Sequence, residues 1–212
     1  MKLTRSQWEH RYNNGVLKLA LVGMSNIGKS YSAARLAKHH AFTLVEVDRL
    51  IWERLGERDM EAFAAWLGQP DTEGYAERER QSLHLETEAT RSALDGVARN
   101  PLLDTTGSVI YTAPEVLKRL RDEWYVVYIE AVPDHVWKLQ ELYFQNPKPL
   151  AWNGHYVPTR GLSREENLAA CYPKLLASRA AAYAAMADRT ITSTDILTRD
   201  HDRLLDLVKP AR

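Results

Sequence analysis

The stretch Leu19-Ala-Leu-Val-Gly23-Met-Ser-Asn-Ile-Gly28-Lys29-Ser30 decides the fold of this chain. Four apolar residues of strand length end at Gly23. A helical pattern then opens at Ser30 and runs to His40, with Ala33, Ala34, Leu36 and Ala37 on or near one face. Between strand and helix, Gly23 to Ser30 matches G-x-x-x-x-G-K-[ST]. The two glycines permit a tight turn whose amides point inward, and the following helix adds its free N–H groups and its dipole. A loop of this kind holds phosphate oxygens. Lys29 is spaced to reach β- and γ-phosphates, and the Ser30 hydroxyl to ligate Mg²⁺. At average composition a chance match in a chain this long has odds under about 1%. The pattern predicts ATP and Mg²⁺ as ligands, with Gly23, Met24, Ser25, Asn26, Ile27, Gly28, Lys29, Ser30 and Tyr31 around the nucleotide.

Outward from the loop, strand-length runs recur at Phe42–Val47, Pro101–Asp104, Tyr125–Glu130 and Arg189–Thr192. Helical patterns occupy Arg49–Leu67 and Glu73–Ala98, broken near Gly68-Gln-Pro70, and then Pro114–Arg121 and Asp134–Phe144. Residues 146–162 show no periodicity and read as a mobile excursion. Ser163-Arg-Glu-Glu166 has capping-box spacing and predicts a helix start. Pro173 is expected to break that helix and open the next, which runs to about Ala187, and Asp200–Val208 closes the chain. Strands alternating with helices pair in parallel through right-handed crossovers. The expected fold is an α/β three-layer sandwich with a parallel sheet of about five strands, of the P-loop nucleotide-kinase type. One domain over 1–212 is expected, with an inserted lid at about 145–166.

Composition narrows the partners. The chain carries 28 basic and 28 acidic side chains in 212 residues, so it lacks the cationic excess of a nucleic-acid grip. Cys171 is the single cysteine and reads as a small buried hydrophobe. Charges run through Met1 to Asn14 with no apolar segment, and no run approaches the roughly 18 apolar residues of a membrane span. These features predict a cytoplasmic protein with no membrane association and argue against nucleic acid as its partner. They leave the oligomeric state open.

In an α/β sheet the ligand sits beyond the carboxyl ends of the strands, so acids there are the ones to inspect. Glu46 and Asp48 flank Val47 at the end of the second strand, where alternation predicts a shared side. Asp104 ends the third strand as a Walker B residue does, which makes it, with Ser30, a candidate metal ligand. Each acid has a helix N-cap as its alternative. Trp52, Trp66, Trp124 and Trp137 read as core, whereas Trp152 and Tyr156 fall in the unpatterned segment, in reach of a ligand.

These residues resemble the shikimate kinases and related small P-loop kinases from Lys18 to about Asp195. The resemblance rests on four places: the loop Gly23–Ser30; Leu44-Val-Glu-Val-Asp48; Lys148-Pro-Leu150; and Ser178-Arg-Ala-Ala-Ala-Tyr183. It implies that Asp48 contacts the acceptor hydroxyl and that Glu46 is the metal-proximal acid. It also implies that Lys148 replaces the lid arginine that meets the phosphates, and that Arg179 binds the acceptor. The implied catalytic set is therefore Lys29, Asp48, Lys148 and Arg179, with Arg160 and Arg164 as further lid cations. For Arg179 the alternative is a surface ion pair.

Two departures stand out. The family's Gly-Gly-Gly turn after the third strand is Asp104-Thr-Thr-Gly-Ser108 here. Its second carboxylate-binding arginine aligns near Leu83 or His84, with Arg80 and Arg91 the nearest arginines. The resemblance thus implies an ATP-dependent kinase acting on a hydroxyl of a small polar metabolite other than shikimate. A kinase for nucleosides, nucleotides or nucleic-acid ends and a non-catalytic ATP-dependent switch are the alternatives.

Overall fold

The computed structural model describes residues 2–56, 59–145 and 149–211. Lys148 lies outside them. In chain order the elements are α1 (Arg5–Asn13), β1 (Leu19–Val22), α2 (Lys29–His39), β2 (Thr43–Glu46), α3 (Val47–Leu55) and α4 (Met60–Leu67). There follow α5 (Tyr75–Asp95), β3 (Pro101–Asp104), α6 (Pro114–Glu123), β4 (Tyr125–Glu130), α7 (Pro133–Gln145), α8 (Arg164–Met186), β5 (Arg189–Thr192) and α9 (His201–Val208). Among the described residues five strands form one parallel sheet in the order β2-β3-β1-β4-β5.

The burial of the strands follows from this order. β1 is buried at every position and β4 at all but its last, so both are near-continuous apolar runs, as strands covered on both faces must be. β2, at an edge, is only partly buried. Handedness then assigns the layers. The β1-to-β2 crossover moves one way along the sheet, whereas β2-to-β3, β3-to-β4 and β4-to-β5 move the other way. Right-handed crossovers therefore put α2 on one face and the helices from α3 to α8 on the other. Packing agrees, since α2 meets α9, and α5 meets α6. The connection leaving β1 thus departs to the face opposite those leaving its neighbours β3 and β4. That reversal opens a crevice at the carboxyl end of β1.

Several expectations are corrected. The second strand stops at Glu46, and Val47 already begins α3, so Asp48 stands in the first turn of a helix and the strand alternation linking it to Glu46 does not apply. The single pattern at 49–67 is two helices: Gly56 ends α3 in the left-handed region, and the Asp59 side chain caps α4 by accepting from the amides of Glu61 and Ala62. Pro173 does not break its helix, because α8 runs unbroken through it. The Ala169 carbonyl that loses its usual donor there accepts instead from Gln140 Nε2 of α7 at 3.4 Å. Arg5–Asn13 form α1, held by a Thr4–Gln7 capping box, and Trp8 carries it into the core. Of the tryptophans read as core, Trp124 is fully buried, Trp52 and Trp66 are partly buried, and Trp137 is exposed.

Candidate active site

The loop after β1 turns in a way its sequence dictates. Asn26 at φ 64° and Gly28 at φ 102° occupy conformations with positive φ, and Gly28 is the N-cap of α2. At that φ a side chain is strained, and a Cβ at Gly28 would also stand 2.5 Å from Ile196 Cδ1, which would have to shift. The loop wraps Lys29, which is buried and donates from Nζ to the carbonyls of Gly23 (3.0 Å) and Met24 (2.9 Å). Ser30 is exposed in the first turn of α2. A backbone concavity with a buried ammonium and a helix N-terminus suits an oxyanion chain, so the loop fits the triphosphate its sequence predicts.

Beyond the loop lies a cleft of about 590 Å³, its open mouth included. Of the residues picked from sequence, Ser25, Asn26, Lys29, Ser30, Asp48 and Arg179 line it. Asp48 is not the N-cap of α3; that position is Glu46, whose side chain makes no cap bond. A carboxylate in that first turn is favoured by the helix dipole. Glu46 and Asp104 precede the cleft residues Asp48 and Thr106 by two positions. They are register partners across β2 and β3, so both side chains leave the same face of the sheet. Among the described residues no three His, Cys, Asp or Glu side chains gather as a metal site. Met24 lines a different cavity with Tyr128 and Pro173, Ile27 packs in the core, and Tyr31 is exposed with the Arg35 guanidinium over its ring.

Arg179 is fully buried, and its partners are carbonyls rather than the surface acid that was its alternative. Nη1 donates to Gly107 O at 2.7 Å and Nη2 to Ala151 O at 2.5 Å, while the guanidinium lies 5.2 Å from the centre of the Tyr111 ring. The Tyr183 hydroxyl also donates to Gly107 O. Arg179 thereby ties the turn after β3 to the segment before α8. Gly107 makes this approach possible, because a Cβ there would meet Ser25 Oγ at 2.7 Å and Arg179 Nη1 at 3.2 Å. Arg179→Ala removes two bonds from a charged donor and a buried side chain, and should lower stability by roughly 3–5 kcal/mol. Urea denaturation checks this. Arg179→Lys should recover less than half of the loss, since an ammonium does not span both carbonyls.

Residues 153–162 are mostly exposed and without regular secondary structure, as their sequence suggests, but the segment's start is packed. Leu150, Ala151 and Trp152 are buried, and the Trp152 amide donates to Tyr75 Oη of α5 at 3.1 Å. The Trp152 ring joins Tyr143, Tyr156 and Tyr172 in one aromatic cluster, so it serves as core and not as a cover for ligand. Arg160 is exposed, and Arg164 is 2.6 Å from Asp71.

Sequence reasoning missed Ser82 and Glu86, which bring α5 to the cleft. They lie one turn apart, so they share a face. The positions expected to carry the pocket, Leu83 and His84, are absent from that lining, and His84 is exposed. Arg80 pairs with Glu77 on the surface, and Arg91 pairs with Glu88 and Glu115. A signal for Glu86 existed: it interrupts the buried stripe Ser82, Ala89, Ala93 of α5 with a charge.

Glu86 is 2% exposed, and both of its oxygens are engaged: the hydroxyl of Thr106 donates to Oε1 and that of Ser108 to Oε2 (2.6 Å). Burial pushes its carboxyl up to about 7; the two hydroxyls oppose this, the Asp48 charge adds to it, and Arg179 opposes it. The unfolded chain releases this proton near 4.5, while the folded chain holds it to about 7. The folded state binds more protons in that window, so the contribution of Glu86 to stability falls as pH rises through it and levels off above. The change is about 3 kcal/mol. The stability difference between wild type and Glu86→Gln, measured by urea denaturation from pH 4.5 to 8, should fall by that amount. A pH-independent difference would contradict the assignment.

A parallel sheet in this order, with a phosphate-binding loop at the end of its central strand, defines an α/β P-loop kinase fold. Among solved structures, the chain is similar to shikimate kinase from Acinetobacter baumannii in complex with shikimate. The two are 20% identical, the match covers 92% of this chain and 91% of that one, and the TM-score is 0.59. Shikimate kinase from Bacteroides thetaiotaomicron is 16% identical over 91% of this chain and 94% of that one, with a TM-score of 0.58. The fold is therefore shikimate-kinase-like. No protein-family model and no curated protein sequence matches the chain. Among the described residues no helix is long and apolar enough to cross a membrane.

Proposed function

We propose that this protein transfers the γ-phosphoryl group of ATP to a hydroxyl of a small polar molecule other than shikimate. The observation that carries this reading is the shared cleft: Lys29 and Ser30 of the loop and Asp48 of α3 line one space, closed at its far end by Glu86 and Arg179. In the reaction the acceptor oxygen bonds to the γ-phosphorus, and the bond from that phosphorus to the β–γ bridging oxygen breaks. ADP leaves, and the hydroxyl proton passes to the Asp48 carboxylate. Such transfer depends on positioning and charge neutralisation, with little covalent chemistry for the protein to perform.

Each residue has a part in that scheme. The loop amides and Lys29, turned from its two carbonyls, hold the phosphates. Asp48 orients the acceptor hydroxyl and accepts its proton. Arg179 holds the two walls of the acceptor end together. Mg²⁺, when bound, supplies further neutralisation of the transferred group. The oxygen donors Ser30, Glu46 and Asp104 suit a hard cation and would hold it. Lys148 is retained as the cation of the segment between α7 and α8 that meets the phosphates, since Arg160 is exposed and outside the cleft lining and Arg164 stands against Asp71. The case against shikimate is the pocket chemistry, because no arginine of α5 is in the lining among the described residues: the helix presents Ser82 and Glu86, and Leu83 and His84, near which the resemblance calls for an arginine, lie outside it.

The test is ADP formation measured across a library of hydroxylated metabolites. It should rise with one acceptor class and not with shikimate. Formation that ignores every hydroxyl compound, or that is greatest with shikimate, overturns the proposal.

A further inference from the structure

Among the described residues the lining of the cleft carries two carboxylates, Asp48 and Glu86, and two cations, Lys29 of the phosphate loop and the guanidinium of Arg179. That guanidinium already serves two backbone carbonyls with its terminal nitrogens, so the orientation of its fork is set by the protein. A carboxylate ligand is best gripped by two parallel N–H groups of such a fork. The hydroxyls of Thr106 and Ser108 bond Glu86, Ser82 lines the cleft one turn before it, and the Arg179 guanidinium offsets part of its charge.

We propose that Glu86 is the specificity-determining residue of the acceptor pocket: it receives an N–H or O–H donor, an ammonium or hydroxyl group of the acceptor, and rejects a carboxylate. This rests on the phosphotransferase reading and names the acceptor class for it. At pH 8, where Glu86 is ionised and at which the binding series are read, a carboxylate ligand here would face like charge from Glu86 and Asp48 beside a buried side chain, where such repulsion is poorly screened. A donor meets the opposite situation. Each Glu86 oxygen keeps a lone-pair direction beyond the one its hydroxyl partner uses, and burial strengthens a bond made there. Thr106 and Ser108 hold the carboxylate in place before the acceptor arrives, so little ordering remains to be done on binding.

Two matched series test this: glucosamine, glucose and gluconate, and the smaller 3-amino-1,2-propanediol, glycerol and glycerate. Binding is read by calorimetry with a nonhydrolysable ATP analogue present, and ADP formation is read separately with ATP. In at least one series the amino or polyol member should bind at least tenfold more tightly than the acid, and the amino-against-polyol arm tells ammonium from hydroxyl. Glu86→Gln should cut that preference at least tenfold while the affinity for the ATP analogue changes less than twofold. Glu86→Asp, which keeps the charge, should retain the order of preference, and the wild-type series decides alone if Glu86→Gln does not fold. Tightest binding of the acid, an unaltered preference in a folded Glu86→Gln, or no binding by any donor-bearing member overturns the proposal. Glu86-dependent binding with no acceptor-dependent ADP formation would leave Glu86 standing and sink the phosphotransferase reading. ADP formation greatest with the acid would do the reverse.

Discussion

Lys29→Ala should lower acceptor-dependent ADP formation by about 10³-fold or more. Preorganised donors aimed at the place where charge develops are worth about 10²–10³-fold each by substitution, and an ammonium enclosed by the loop belongs at the upper end. The structure also separates this effect from misfolding. Nζ of Lys29 bonds the carbonyls of Gly23 and Met24, so its loss removes donors from two backbone groups. The stability cost should be about 1–3 kcal/mol, which leaves the sheet intact. Initial rates, with the melting temperature measured alongside, check both parts. A folded Lys29→Ala protein with kcat within tenfold of wild type would remove the loop from the chemistry.

The second large effect is expected at Asp48. Asp48→Asn keeps shape and hydrogen-bonding capacity but cannot accept a proton at neutral pH, and should reduce kcat by about 10²–10⁴-fold. ATP binding should change less than threefold, because Asp48 belongs to α3 and not to the loop. This split distinguishes a proton acceptor from a residue that merely shapes the cleft, for which KM and kcat would move together. Single-turnover measurements isolate the transfer step from product release. A wild-type transfer rate in Asp48→Asn would assign the proton elsewhere.

How much of this was legible follows from how local each feature is. The loop at Gly23–Ser30 needs only its own eight residues and the elements at either end, so sequence and structure coincide there. The strands at Leu19–Val22, Pro101–Asp104, Tyr125–Glu130 and Arg189–Thr192 also keep their expected bounds. Strand alternation does not put Asp48 at the cleft: α3 starts one residue before it, and Asp48 lines the cleft from the first helical turn. Pro173 shows the same limit. Its local cost is visible in sequence, whereas Gln140, the group that offsets it, comes from another helix.

Other misses arise from side chains that meet only in three dimensions. Trp152 lies in an aperiodic stretch, yet Tyr143 and Tyr172 from α7 and α8 enclose it. Arg179 lines the cleft, but no sequence shows that its nitrogens are spent on Gly107 and Ala151.

By itself, the sequence determined the parallel α/β architecture and the phosphate-binding loop, because periodicity and a contiguous turn are local properties of the backbone. Only the tertiary structure decided the acceptor pocket. Asp48, Glu86, Gly107 and Arg179 come from four separate elements, and which face of α5 turns inward depends on how that helix packs against its neighbours. A rotation of α5 by about one residue, roughly 100°, would exchange Glu86 for Thr87 and present a different chemistry to the acceptor.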